Sequence, residues 1–265
     1  MDVYPLRDPP SEQPDKLLDR EAHVWLFDPL RVGEKMRGAE LTNILSTEEQ
    51  ERASRFVCER RRLVFTLAHV GLRNILSKYD DIKPAQWRFV IGEQGRPEIT
   101  PAQNSKQLRF NLSHTRGLVA CLINRQHDCG VDVELMAKVR DAKSLARRFF
   151  SPVEWAELEK CRSDEDLRLL FCRYWTLKEA YIKALGKGLR VSLNNFYFVL
   201  DGDQNQIHFD EETADRQENW QLYQRRPTDE HMLSVAINRD AKQTLNVKIF
   251  QLSPPEKTAQ NPTQA

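Results

Sequence analysis

The sequence predicts an α+β fold of two similar halves, each a small antiparallel sheet with helices. Three observations carry this. Short apolar runs with strand character are separated by longer stretches of helical periodicity. A weak internal repeat sets strand, turn, strand, His114 and LVACLI against FYFVL, a turn, a strand, His231 and LSVAI. The chain has 265 residues, 40% of them hydrophobic, enough for one large domain or two of about 130 residues. The division we expect is a flexible segment, 1–20, an N-terminal α+β half, 21–125, a C-terminal α+β half, 126–252, and a disordered tail, 253–265.

In the first half, the proline- and charge-rich residues 1–20 are expected to be poorly ordered, and HVWLF (23–27) reads as a strand. Ser46 caps a helix, with Glu49 at the capping-box position. That helix is expected to run, broken once, to about Lys78, burying Phe65, Ala68, Leu72, Ile75 and Leu76. Pro84 opens a new segment, WRFVIG (87–92) reads as a strand and Gly95-Arg96-Pro97 as a turn. Strands follow at 108–112 and 118–124, joined through a turn over 113–117.

In the second half, a strand is expected at 129–135 and a short helix at 142–150. Ser151 as cap, Pro152 at the first position and Glu154 at the third open another helix. Residues 164–186 form the longest helix, free of proline and internal glycine and stopped by Gly186 and Gly188. Strands return at 196–200, 207–209, 220–225, 231–238 and 247–252.

Composition excludes some classes of function. Forty Lys+Arg against 39 Asp+Glu give a net charge of +1, which argues against a protein built to coat nucleic acid. No apolar run approaches the roughly 18 residues of a membrane span, and no signal peptide is visible. The five cysteines form no CxxC and read as reduced thiols of a cytoplasmic protein. The near-zero total conceals regional charge: residues 52–73 hold six Arg against Glu59, flanked by acidic 1–50 and 201–240. Such an Arg run suits phosphate binding or a solvated helix face, and the run alone does not decide between them.

Three constellations carry chemistry. In GVDVE (130–134), strand alternation sends Asp132 and Glu134 to one face and Val131 and Val133 to the other. Two such carboxylates repel and call for a cation, most naturally Mg²⁺; the plain alternative is a solvated acidic strand face. In WTLKEAYIKALGKGL (175–189), Trp175, Glu179 and Lys183 share one helical stripe, so a third carboxylate and an ammonium stand one turn apart. Third, Arg96 is followed by FNLSHT (110–115), where Ser113 and His114 are expected at a turn, offering a hydroxyl, an imidazole and free amides to an anion. Three acids with several cations suit phosphoryl or pyrophosphate chemistry.

GRPEI (95–99), FNLSHT, GVDVE, RRFFSPVEW (147–155) and FCRYWTLKEAYIKALGKGL (171–189), in this order and spacing, resemble the 4′-phosphopantetheinyl transferases of the Sfp type over roughly residues 45–200. The resemblance implies a monomer of two α+β halves related by a pseudo-two-fold axis. It implies transfer of the phosphopantetheine arm of coenzyme A to a serine of an apo acyl or peptidyl carrier protein, with release of adenosine 3′,5′-bisphosphate. By motif, Asp132, Glu134 and Glu179 are the expected Mg²⁺ ligands. Glu179, or a metal-bound water, takes the serine proton, and Lys183 contacts the pyrophosphate. Arg96, Ser113 and His114 hold coenzyme A phosphates, Arg73 matches a basic position of the family, and Lys178 is counted with the same group. Relatives often carry Arg where this chain has Val64 and His69, which makes Arg61 or Arg62 the substitute phosphate contacts. No nucleic-acid or membrane partner is expected. The competing readings are a Mg²⁺-dependent phosphohydrolase, which needs a positioned base for water, and a non-catalytic relative that binds coenzyme A or a carrier protein.

Overall fold

The computed structural model describes residues 17, 19–34, 38–92, 95–139, 141–186, 191–202, 204–210, 215–239 and 243–252. The expectations for most of 1–20, for the tail 253–265 and for Lys187 and Gly188 lie outside the described residues.

Strand β1 (Glu21–Phe27) leads through helices α1 (Pro29–Gly33), α2 (Gly38–Ile44) and α3 (Thr47–Ser54) to the long helix α4 (Glu59–Leu76). The capping box at Ser46 and Glu49 is present, and the break before α4 falls at 55–58. A hairpin, β2 (Phe89–Ile91) and β3 (Pro97–Ile99), precedes β4 (Leu108–Thr115), β5 (Leu118–Arg125) and β6 (Cys129–Leu135). Helices α5 (Ala142–Phe149), α6 (Pro152–Glu159) and α7 (Asp164–Leu185) follow. The chain then forms β7 (Phe196–Val199), β8 (Gln206–Phe209), β9 (Trp220–Thr228), β10 (His231–Asn238) and β11 (Asn246–Gln251).

Two sheets dominate, β11-β1-β5-β4 and β6-β10-β9, with β2-β3 and β7-β8 as separate hairpins. Their cores stack the molecule in four layers. Trp25, Phe27, Val119, Cys121 and Ile123 hold α4 against the outer face of the first sheet through Leu72 and Ile75. Val24, Ala120 and Leu122 meet Val131, Val133, Leu233 and Val235 between the sheets. Leu177 and Ala180 of α7 cover the outer face of the second sheet at Met232 and Ala236. Each large apolar side chain so buried contributes about 1.5–3 kcal/mol, and alternation along β1, β5 and β10 feeds two cores at once. The order is helix, sheet, sheet, helix, with one helix-on-sheet unit from each half. Among the described residues, no helix is long and apolar enough to cross a membrane. All five cysteines are free thiols.

Three expectations are corrected. Strand β11, assigned to the second half, pairs in parallel with β1, placing Phe250 opposite Trp25, so the first sheet is mixed rather than antiparallel. Strand β4 continues to Thr115, with Ser113 opposite Ala120 and His114 opposite Val119; the turn is Arg116-Gly117, where Gly117 takes φ +84. The ladder therefore claims backbone that the turn reading left free for an anion. His114 is the last residue but one of β4, before its turn, whereas His231 begins β10 after one. The two histidines are not equivalent, although β5 and β10 each form the second strand of a hairpin.

Candidate functional site

The site begins with a close approach of backbones. Along β6, Val131 and Val133 face the inter-sheet core, and Gly130, Asp132 and Glu134 face the other way, toward α7. A Cβ on Gly130 would stand 1.9 Å from the Ala180 carbonyl oxygen and 2.6 Å from the Ala184 amide nitrogen. Real Cβ atoms do not come so close, so only glycine lets α7 lie on β6. Helix α7 is fixed at both ends: Ser163 accepts from the Asp166 amide at 3.0 Å, and Gly186 closes the helix in the left-handed conformation at φ +70. It turns Thr176, Glu179 and Lys183 toward the second sheet and β6, with Thr176 Oγ1 2.7 Å from Ser234 Oγ. Trp175, expected on that stripe, packs elsewhere, against Phe149 and Phe171.

Lys183 Nζ donates to Asp132 Oδ1 at 2.7 Å, Ser113 Oγ at 3.0 Å and the Val131 carbonyl at 3.1 Å. Ser113 Oγ donates to Asp132 Oδ1 at 2.8 Å and accepts from the Val133 amide at 3.3 Å. Thr115 Oγ1 donates to Glu134 Oε2 at 3.4 Å. Burial, then the neighbouring Asp132 charge, raises the Glu134 and Glu179 carboxyls above the ordinary carboxylate pKa. Lys183 opposes this shift at both groups without cancelling it.

Three carboxylates are the donor set a hard divalent cation prefers. Asp132 Oδ2 is buried and has no hydrogen-bond partner, so one oxygen of the central acid is held ready for a ligand. As the side chains stand, no three His, Cys, Asp or Glu among the described residues are placed to hold one ion. The chemistry fits a divalent cation; closing the set takes movement of these side chains.

The remaining predicted residues divide. His114 keeps exposed surface, and its strand position turns it to the face opposite Ser113, toward α4 and His69. Desolvation, then the His69 and Lys183 charges, lowers its pKa. His69 itself is tied down, donating from Nδ1 to the Phe65 carbonyl at 2.9 Å. Arg62 lies in the first turn of α4 and pairs with Glu59 at 3.4 Å. Arg96 reaches the end of α7 but as a brace, donating to the Ala184 carbonyl at 2.9 Å, Asp128 at 2.6 Å and Glu98 at 3.2 Å.

Two assignments to phosphate are overturned outright. Arg73 is fully buried, paired with Glu49 at 2.8 Å and donating to the Pro84 and Trp87 carbonyls at 3.0 Å. Lys178 is fully buried on the far side of α7, paired with Glu154 at 2.8 Å and donating to the Leu193 and Phe196 carbonyls. Both are structural cations. Ser113 Oγ is engaged within the protein. A hydroxyl has one donor and two acceptor positions, and Asp132, Val133 and Lys183 take all three. Asn111 and Thr115 lie in the FNLSHT motif without an assigned role; their signal is the alternation of polar 111, 113 and 115 on one face of the strand.

Residues 128–236, which hold β6, α7 and the acid cluster, match the family model of the 4′-phosphopantetheinyl transferase superfamily. The 4′-phosphopantetheinyl transferase HetI of Nostoc sp. is 39% identical over 173 residues, 65% of this chain and 72% of that protein. The chain belongs to the 4′-phosphopantetheinyl transferase family. Within that family the chain is also 29% identical to the transferase Sfp of Bacillus subtilis over 180 residues, 68% of this chain and 76% of that protein. A solved structure, the holo-[acyl-carrier-protein] synthase of Thermotoga maritima, is similar over 43% of this chain and 63% of that one, with TM-score 0.36 and 18% identity. In this phosphopantetheinyl transferase, then, the acids of β6 and α7 meet across the Gly130 contact inside the matched region.

Proposed function

We propose that the chain transfers the 4′-phosphopantetheine arm of coenzyme A to a serine of an apo acyl or peptidyl carrier protein, in the presence of Mg²⁺. The observation that carries this is the gathering of Asp132, Glu134, Glu179 and Lys183 at the β6–α7 contact in a member of this family. Asp132, Glu134 and Glu179 would hold the ion, which when bound supplies charge neutralisation on the pyrophosphate. The serine oxygen bonds to the phosphorus that bears pantetheine. The bond from that phosphorus to the bridging oxygen breaks, and adenosine 3′,5′-bisphosphate leaves with the electron pair. Glu179 accepts the serine proton as the general base. Lys183 places positive charge beside the leaving phosphate, exchanging one of its three protein acceptors for a phosphate oxygen. His114, exposed on the face of β4 opposite Ser113, contacts a coenzyme A phosphate.

The test is to incubate the protein with coenzyme A, Mg²⁺ and each of several apo carriers from fatty-acid, polyketide and nonribosomal-peptide systems, then weigh the carriers by mass spectrometry. One carrier at least gains the mass of a phosphopantetheine arm, and Asp132→Ala abolishes the gain while staying folded. No added mass on any carrier would sink the proposal.

A further inference from the structure

The two sheets meet along β4 and β6, each an edge strand of its own sheet. These strands are not joined by backbone pairing; side chains of β4 bridge them. Asn111 Oδ1 accepts from the Val131 amide at 2.9 Å, and Ser113 Oγ accepts from the Val133 amide at 3.3 Å. Two residues further on, Thr115 Oγ1 donates to Glu134. Residues 111, 113 and 115 share one face of β4, so the three contacts climb β6 in step. The first two give buried edge amides the acceptors that a neighbouring strand would otherwise supply.

We propose that Asn111, Ser113 and Thr115 are positioning residues that clamp β6 to the first sheet and aim its carboxylates at the divalent ion; this rests on the ion-binding reading above. The clearest case is Asp132. Ser113 and Lys183 both donate to Oδ1, which fixes the carboxylate plane and leaves Oδ2 buried and unpartnered. Ser113 also holds the amide of the next residue, so one hydroxyl sets both the backbone and the side chain of the central acid. Partners of this kind behind a metal ligand typically govern affinity by about 10–100-fold.

The experiment measures binding of Mn²⁺ alone to the full chain, as loss of the free-ion paramagnetic resonance signal, beside the coenzyme A Kd in chelator and the Tm. Ser113→Ala is expected to weaken Mn²⁺ binding by about 10–100-fold and to leave the coenzyme A Kd in place. Ser113→Thr, which keeps the hydroxyl, restores the affinity. Thr115→Val weakens it less, in keeping with its longer contact, and tests the ladder independently should Ser113→Ala fold poorly. If both variants bind Mn²⁺ as the parent does, the ladder is overturned and the ion site stands. The ladder is overturned equally if Ser113→Ala raises the coenzyme A Kd with Mn²⁺ affinity intact. If the parent itself binds no Mn²⁺, the ion assignment falls, and the ladder's purpose with it.

Discussion

Lys178 and Glu179 are neighbours in the chain and meet opposite surroundings. Lys178 enters the core between α7 and the segment 193–198, where Glu154 neutralises it; burial lowers its pKa and the Glu154 charge resists that shift. Glu179 turns to β6, where burial and Asp132 raise its pKa and the Lys183 charge offsets that only in part. Between its ordinary pKa and its raised folded one, Glu179 binds a proton in the folded chain and not in the unfolded chain. Stability therefore falls as pH rises through that window, and the penalty is complete above the folded pKa. Glu179→Gln is expected to raise Tm at pH 8 in chelator, while abolishing carrier modification. The gain in Tm shrinks as pH falls toward the ordinary glutamate value of about 4.3. A Tm gain that does not change with pH would mean that repulsion is not its source. Asp132, Glu134, Glu179 and Lys183 were legible because strand and helix periods alone put them on facing surfaces. Lys178 and Arg73 were not, because what claims them, Glu154 and Glu49, is distant in sequence and nothing local marks the pairing.

The contact between β6 and α7 is set by Gly130. Gly130→Ala would drive a methyl group into the Ala180 carbonyl and the Ala184 amide, so the helix must withdraw. We expect a loss of about 3 kcal/mol in denaturant unfolding. Because Glu179 and Lys183 travel with the helix, transfer falls by on the order of 10²-fold in the molecules still folded. Loss of stability with full turnover per folded molecule would show that the acids do not depend on this contact. Most elements were legible because their start and stop signals are local: Ser46, Ser151-Pro152 and Gly186 each do what their residue types dictate. The short helices α1 and α2 and the strand β3 were not, since five to seven residues, or three, carry too little periodicity. The turn at 113–117 was misread because polar Ser113 and Thr115 resemble turn residues, and only the neighbouring β6 explains them as strand.

At the scale of the molecule, the two halves are not independent packets. The inter-sheet core draws side chains from both, and β11 returns to finish the first sheet. Phe250 is buried, its ring stacked on Trp25 at 5.0 Å and tilted against His23 at 4.7 Å. Lys248 pairs with Glu21 on the same strand couple. Phe250→Ala is expected to cost about 3–5 kcal/mol and to lower one common unfolding midpoint. Fluorescence of tryptophans in the two sheets, Trp25 and Trp220, separated by single-tryptophan variants, should report coincident curves. Two separate transitions would show that the halves melt alone. No local pattern could reveal the pairing of β11 with β1, because a parallel partner more than 200 residues away leaves no mark on either strand. The same pairing orders events during synthesis. A nascent chain can collapse α4 onto β1, β5 and β4 early, yet the outer edge of β1 stays open to other strands until residues 246–251 have left the ribosome. The layer that anchors the acid-bearing strand thus waits for β11, and a stalled or truncated translation product would carry β6 and its acids packed against an unfinished, aggregation-prone first sheet.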